Sequence, residues 1–370
     1  MKTMNLNSKE GRLEDLLARM AESIQLDETR KAKMESSYSA IKDLLDNDDA
    51  FFSKLDFELY PQGSVKIGTT VKPLKGSEFD LDIVIHLKTD WTKYSSSRIY
   101  NEVKRVLMSN ANYSDKVELK NRCIRLNYTG DYHMDILPGI QEYEWDKDQL
   151  KVPDRELKDW TTSNPRGYAK WFEEKAESVQ ETLLEKAIRA EDLEIEPFAK
   201  KKPLKRAVQL IKMYRDQFFE KKEDLATSSI ILTTIFGNFY NSESSIFETI
   251  ENVLLKLDAT KNNLRRIKVT NPKNPEEDFS EKWDDEPELY NYFLKFIDNM
   301  KLQWQKLKEE NDYAQKEIMK SLFSESAYNT AFESQNKYLK KIDKIKAEDY
   351  SGLISLANTQ TKTQKPYFKE

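Results

Sequence analysis

Cysteine and histidine are nearly absent from this chain of 370 residues, which holds one Cys, Cys123, and two His, His86 and His133. A single thiol excludes an internal disulfide and any thiolate cluster, and two imidazoles exclude a His-rich centre, so a bound metal has to be held mostly by carboxylates. No one sign of charge dominates either: 60 Lys and Arg stand against 65 Asp and Glu, a formal net charge of -5 at pH 7. The cationic field of a protein that coats nucleic acid in bulk is therefore missing, and no bulk DNA binding is expected. No apolar run approaches the roughly 20 residues that cross a bilayer, and the first residues show no apolar run of the signal-peptide kind. The cytoplasm is the expected location, with no membrane partner. What the chain does have is apolar mass, 38% hydrophobic and 11% aromatic residues, enough for a sizeable core beneath a charged surface.

The pattern along the chain is α+β. Leu13, Leu16, Leu17, Met20 and Ile24 form one helical stripe and Met34, Tyr38, Ile41 and Leu45 another, so residues 1–50 are expected to be N-terminal helices packed on the core. From Phe57 to about Val152 the periodicity shortens, with Gly63, Gly68, Gly76, Gly130 and Gly139 punctuating it. Strands are expected at 57–60, 79–87, 117–128, 132–137 and 140–145, with a helix near 97–109, giving a small mixed sheet with flanking helices over 51–163. Asn164 and Pro165 read as the cap and first residue of a helix. That helix opens a helical domain, 164–345, whose stripes include Leu204, Val208, Ile211 and Phe218. Pro272, Pro275 and Pro287 break it with a loop that carries Trp283. The Thr-, Gln- and Lys-rich end, 346–370, has no periodicity and reads as a mobile tail.

The chemistry gathers around Pro61-Gln62-Gly63-Ser64 and Asp80-Leu81-Asp82-Ile83-Val84-Ile85. In a strand Asp80 and Asp82 share one face while Leu81 and Ile83 share the other. Two same-face carboxylates repel and resist burial unless a divalent cation sits between them, and Mg²⁺, a hard ion that completes its shell with phosphates and water, suits them, with Mn²⁺ as an alternative. A second apolar strand, Tyr132-His133-Met134-Asp135-Ile136-Leu137-Pro138, holds one more acid. Laid beside the first strand, Asp135 would complete a two-ion site for nucleotidyl transfer. Gly63 permits a tight turn with close approach of backbone to phosphate, and Ser64 adds a hydroxyl. Taken singly, Gly-Ser is an ordinary turn, Asp-x-Asp a solvated strand edge, and Asp135 a strand end ahead of Pro138.

Gly63-Ser64, Asp80-x-Asp82 and the later Asp135 resemble the DNA polymerase beta-like nucleotidyltransferase superfamily. The longer segments 61–64, Gly68-Thr69-Thr70, 79–82 and Asp135-Ile136-Leu137-Pro138 look like its bacterial cyclic GMP-AMP synthase/DncV-like branch, as do Ser163 to Tyr168, Pro203 to Arg206 through Arg215-Asp216, and Ser228 to Thr233. The resemblance spans roughly residues 10–305. It implies a cyclic oligonucleotide synthase of anti-phage signalling that uses NTPs and a downstream effector protein; a monomer is expected. It further implies that Asp80, Asp82 and Asp135 are catalytic and hold two Mg²⁺ ions, that Gly63 and Ser64 hold the donor triphosphate, and that Lys205, Lys212 and Ser229 approach the nucleotide. Between Ser64 and Asp80 the chain is longer than the usual spacing, which implies an inserted loop around Lys72 to Glu78. Alternatives stay open: an RNA-tailing or macromolecule-modifying transferase, or a noncatalytic nucleotide-binding protein on the same fold.

Other residues admit structural roles. Lys205 and Lys212 also suit a solvated helix face, and Ser228 or Ser229 a helix cap. Arg122 and Arg125 point to opposite faces of their strand, so at most one reaches a shared ligand surface, and snorkelling at the core edge is the expectation for either. His133 shares a face with Asp135, yet a structural role is expected for it and for His86. Tyr60 and Trp91 border the acids and are candidates for base stacking. Cys123 reads as a small buried hydrophobe.

Overall fold

The computed structural model describes residues 8–72, 78–178, 202–260, 266–309 and 312–341. The tail expected at 346–370 and most of the loop expected at Lys72 to Glu78 lie outside them.

Among the described residues the sheet is built from β1 (Phe57–Pro61), β2 (Phe79–Leu87), β3 (Val117–Leu119), β4 (Ile124–Tyr128), β5 (Tyr132–Tyr143), β6 (Asp146–Asp154) and β7 (Asp159–Ser163). The order is β1-β2-β5-β4-β3, with β6 on the far half of β5 and β7 on β6. Only β2 and β5 run parallel; the other pairs are antiparallel. The stretch expected as one strand at 117–128 is two, separated at Lys120 to Cys123, whereas the two expected at 132–137 and 140–145 are one. Pro138 does not end β5. Pairing with β4 stops at Ile136 and pairing with β6 starts at Ile140, so on that edge Pro138 falls where no ladder N–H is required.

Period two divides the central strands between two faces. Leu81, Ile83 and Ile85 of β2, Met134 and Ile136 of β5 and Ile124 and Leu126 of β4 pack with two helices, α2 (Glu28–Asp46) and α4 (Ser96–Ser109), into one buried cluster. The opposite face carries Asp80, Asp82, His133, Asp135 and Arg125, flanked by a small apolar patch that includes Val84, Leu137 and Val152.

The two N-terminal helices have different partners. The stripe of α1 (Lys9–Ser23) packs into the helical half of the molecule, whereas that of α2 covers the sheet. Between β1 and β2 lies α3 (Gly63–Lys66), a single turn. The helical half begins with α5 (Pro165–Glu177), where Asn164 accepts the Gly167 N–H at 2.8 Å and Pro165 occupies the first turn, as the sequence predicts. It continues with α6 (Pro203–Phe218), α7 (Ser229–Phe239), α8 (Ile246–Thr260), a short hairpin of β8 (Thr270–Asn271) and β9 (Asn274–Asp278), α9 (Lys282–Asp285), α10 (Pro287–Glu309), α11 (Asp312–Phe323) and a helix over 325–341. Trp283 is buried and stacks on Phe293 at 4.9 Å, anchoring the loop that precedes it. No described helix is long and apolar enough to cross a membrane.

Candidate active site

Sheet register assembles the acids. Asp82 lies directly beside Asp135 across the parallel β2/β5 pair, and Asp80 beside His133. On the other edge of β5, Asp135 lies opposite Arg125 of β4. Arg125, Asp135 and Asp82 therefore form one row across three strands, on the face turned away from the apolar cluster.

The turn before β2 is built against this row. The Gln62 N–H donates to the Asp82 carbonyl at 2.8 Å, bringing α3 onto β2. Gly63 sits at φ +58, and a Cβ there would overlap Asp82 Oδ2 and lie 3.0 Å from the Asp82 carboxyl carbon. Both the backbone conformation and the close approach demand glycine. Ser64 Oγ accepts from Thr70 Oγ1 at 3.1 Å, and the Ser64 carbonyl accepts the Thr69 N–H at 2.9 Å, closing the loop over the turn.

Electrostatics mark the row as strained in charge. Burial, then the negative charges of Asp80 and Asp135, push the Asp82 carboxyl from 3.8 up to about 7, against the opposing pull of Lys212 and Arg125. Asp80 is raised as well, again by burial first, with Arg125 pulling the other way. Lys212 Nζ donates to the Thr69 carbonyl and hydroxyl at 3.3 and 3.1 Å, and burial followed by the nearby Arg215 brings its ammonium from 10.5 down to about 7.

An open cleft of about 1230 Å³ lies over the row. Gln62, Gly63, Ser64, Asp80, Asp82, Arg125 and His133 line it on the sheet side, Lys212, Arg215, Asp216 and Ser229 on the helical side, and Ser163, Tyr168, Asn271 and Glu277 at a third wall. Of the residues expected from sequence, Gly63, Ser64, Asp80, Asp82, Lys212 and Ser229 thus share one cavity. Ser229 Oγ accepts from Arg215, and Ser228 stands at the cap of α7 without a side-chain capping bond. Lys205 stands apart. Its Nζ pairs with Glu173 at 2.7 Å and it does not line the cleft. Seven residues on a helix return to the same face about 10 Å further along, so Lys212 reaches the acids and Lys205 reaches α5 instead.

For Arg125 the structure corrects the expectation of snorkelling at the core edge, and Arg125 is the one of the two arginines that reaches the acids. Its Nε and one terminal nitrogen grip both oxygens of Asp135 at 2.7 and 2.8 Å, and that same terminal nitrogen reaches Asp80 at 3.2 Å. Arg122, on the other side, pairs with Asp154 at 3.0 Å. The signal for Arg125 was its shared face with the acids, readable only once β4 was known to pair with β5. Arg215 and Asp216 also line the cleft; their charges are visible in sequence but not their aim. Tyr60 and Trp91 do not line the cleft: the Arg166 guanidinium lies 3.9 Å over the Tyr60 ring, and Lys151 lies 5.5 Å over Trp91. His133 pairs with Glu78 at 2.5 Å. His86 is buried in the sheet, where desolvation first and Arg166 second lower it from 6.5 to about 4, so it is neutral near pH 7. Cys123 is half-buried against the small apolar patch.

The donor set fits hard divalent ions. Three acids on one face, with Asp82 and Asp80 raised by burial first and by neighbouring carboxylates after it, present an excess of negative charge. The Arg125 guanidinium already supplies one compensating cation. Among the described residues no three His, Cys, Asp or Glu side chains stand as a ready-made metal cage; at this row both oxygens of Asp135 are held by Arg125.

Comparison with known proteins gives the same reading of the fold. Residues 12–176 match the Second Messenger Oligonucleotide or Dinucleotide Synthetase domain family. The chain is 44% identical over 327 residues to a c-di-GMP synthase of Roseivirga ehrenbergii, covering 87% of each chain. In structure it resembles the Bradyrhizobium diazoefficiens CD-NTase CdnG in complex with GTP, at 21% identity and a TM-score of 0.69 over 88% of this chain and 99% of the other. It also resembles Vibrio cholerae DncV cyclic AMP-GMP synthase in complex with a linear intermediate, at 17% identity and a TM-score of 0.56 over 86% of each. With its α+β nucleotidyltransferase core joined to a helical region, this chain belongs to the DncV-like second messenger oligonucleotide or dinucleotide synthetase family, nucleotidyltransferases of the polymerase beta-like superfamily.

Proposed function

We propose that the protein joins two nucleoside triphosphates into a cyclic dinucleotide, releasing two pyrophosphates, and that the product is a second messenger read by an effector protein in anti-phage defence. The observation that carries the reading is the row of Asp80, Asp82 and Asp135 beneath a cleft of about 1230 Å³. That volume exceeds the roughly 300–1,000 Å³ usual for a single small-molecule ligand and has room for donor and acceptor nucleotides together. The 44% identical relative, a c-di-GMP synthase, favours two GTP as substrates.

In each of two successive transfers a ribose hydroxyl oxygen bonds to an α-phosphorus, the bond from that phosphorus to the pyrophosphate oxygen breaks, and the hydroxyl proton leaves. Asp80, Asp82 and Asp135 would hold two Mg²⁺ ions, which supply Lewis-acid stabilisation of the attacking and leaving oxygens. The Gly63 turn brings backbone to the donor triphosphate, with Ser64 offering a hydroxyl. Lys212 and Arg215 supply positive charge from the helical wall, and Ser229 is held by Arg215 at the same wall. In this reading the described helices from α5 onward close the cleft over the sheet, with α1 bracing the helical half and α2 the sheet.

Incubation with all four NTPs and Mg²⁺, then phosphatase treatment and chromatography, tests the reading. A phosphatase-resistant cyclic dinucleotide, made from GTP alone, is expected. Products that form only with added RNA would favour a tailing enzyme, and NTP binding without pyrophosphate release would favour a noncatalytic protein.

A further inference from the structure

We infer that Arg125 is an internal counter-cation that competes with divalent ions for the acid row, so that the row stays assembled without metal and admits ions only when the guanidinium leaves. The inference rests on the proposed role of the three acids and adds a residue and a constraint that role does not contain.

The geometry is specific. Arg125 makes a two-pronged pair with Asp135 at 2.7 and 2.8 Å and extends to Asp80 at 3.2 Å, bridging two of the three acids. Fork-to-carboxylate pairing of this kind is the strong, directional form of the ion pair. Arg125 lines the cleft and Asp135 does not. A Mg²⁺ or Mn²⁺ ion ligated by Asp135 needs a carboxylate oxygen at about 2.0–2.1 Å, and a guanidinium on both oxygens opposes it twice, by holding the lone pairs and by charge repulsion. Arg125 is the cation that touches the acids directly, on Asp135 and Asp80, whereas the Lys212 ammonium is hydrogen-bonded to the Thr69 carbonyl and hydroxyl.

The fork also has somewhere to go. Glu118 of β3 lies opposite Arg125 in the β3/β4 register, where it accepts from Lys120 at 2.6 Å. A rotation of the Arg125 side chain exchanges one carboxylate for another without moving the strand. By linkage, whatever free energy binds Arg125 to the acids is subtracted from metal binding, and metal binding loosens Arg125 by the same amount. Ions arriving alone are therefore held weakly, and ions arriving on a triphosphate, which brings its own ligands, are held well.

Mn²⁺ titration of the full chain without nucleotide, read by loss of the free-ion electron paramagnetic resonance signal, tests this directly. Arg125→Met is expected to bind Mn²⁺ about tenfold more tightly than the wild type, the scale on which a charge-assisted pair contributes. It is also expected to show a lower metal-free melting temperature that Mn²⁺ restores. Equal or weaker binding would mean that Arg125 positions Asp135 for the ion, and the inference fails. Should circular dichroism show Arg125→Met unfolded, Arg125→Lys keeps a charge but loses the fork; tighter binding by a few-fold supports the inference, and unchanged or weaker binding refutes it. Asp82→Asn and Asp135→Asn separate the two levels, because wild-type Mn²⁺ binding in both would overturn the metal role of the acids itself. Absence of Mn²⁺ binding in every folded Arg125 variant also refutes the competition.

Discussion

Replacing Asp82 by Asn should abolish product and, in the absence of metal, make the protein more stable. The folded state holds the Asp82 carboxyl at about 7 against an ordinary 3.8, a rise of roughly three decades at about 1.4 kcal/mol each, so ionised Asp82 opposes folding by at most about 4 kcal/mol. Water in the open cleft screens part of this, leaving about 1–2 kcal/mol. The sign follows from the raised value. Between pH 3.8 and about 7 the folded chain keeps a proton that the unfolded chain has released, so stability falls as pH rises through that window and levels off above it. Asn cannot ionise and lacks this slope, so its advantage over the wild type roughly doubles between about pH 5.5 and pH 8. At about 2.1 cal/mol/K of unfolding entropy per residue, each kcal/mol moves the melting temperature by about 1 °C in a chain of this length. Differential scanning calorimetry in chelator at pH 5.5 and 8 should show Asp82→Asn melting about 1–3 °C above the wild type at the higher pH. Added Mn²⁺ should reverse the order by stabilising only the wild type. A variant no more stable than the wild type at pH 8 without metal would refute the charge strain, and a variant with full turnover would refute the metal role.

Gly63→Ala should reduce pyrophosphate release at least about a hundredfold: the left-handed backbone alone costs about 1–2 kcal/mol, and the methyl displaces the Asp82 carboxylate. Wild-type turnover would show that the close approach is unimportant. Lys212→Met should raise the NTP concentration for half-maximal rate about tenfold with an unchanged product, as loss of one charged contact predicts. Because Lys212 is lowered to about 7, the unfolded chain binds the extra proton between pH 7 and 10.5, so wild-type stability rises with pH there. Lys212→Met should flatten that rise in chemical denaturation, and an unaltered slope would place Lys212 outside the buried charge network.

Much of the site was legible because it depends on local rules. Period two puts Asp80 and Asp82 on one face, and only glycine meets the demands at Gly63. The omissions share a cause. Residues 146–163 form β6 and β7 but begin with Asp146-Lys147-Asp148, whose polarity suits an edge hairpin and hides the strand period. Arg125 and Arg122 look alike in sequence, and the choice between them waited on which strand lies beside β5. Lys205 and Lys212 share a helix face, and only the position of α6 along the cleft separates them.

Sequence by itself determined the chemistry available: carboxylates in place of thiols and imidazoles, a glycine where backbone must pass close, and two kinds of apolar period that divide sheet from helices. Tertiary structure alone decided that Asp135 stands beside Asp82, that Arg125 closes the row, and that Lys212 faces it across the cleft. The physical reason is that side-chain period follows from neighbouring backbone geometry, whereas the register of β2 against β5, and the edge of β5 that β4 takes, are set by whichever packing buries the apolar face of every strand at once.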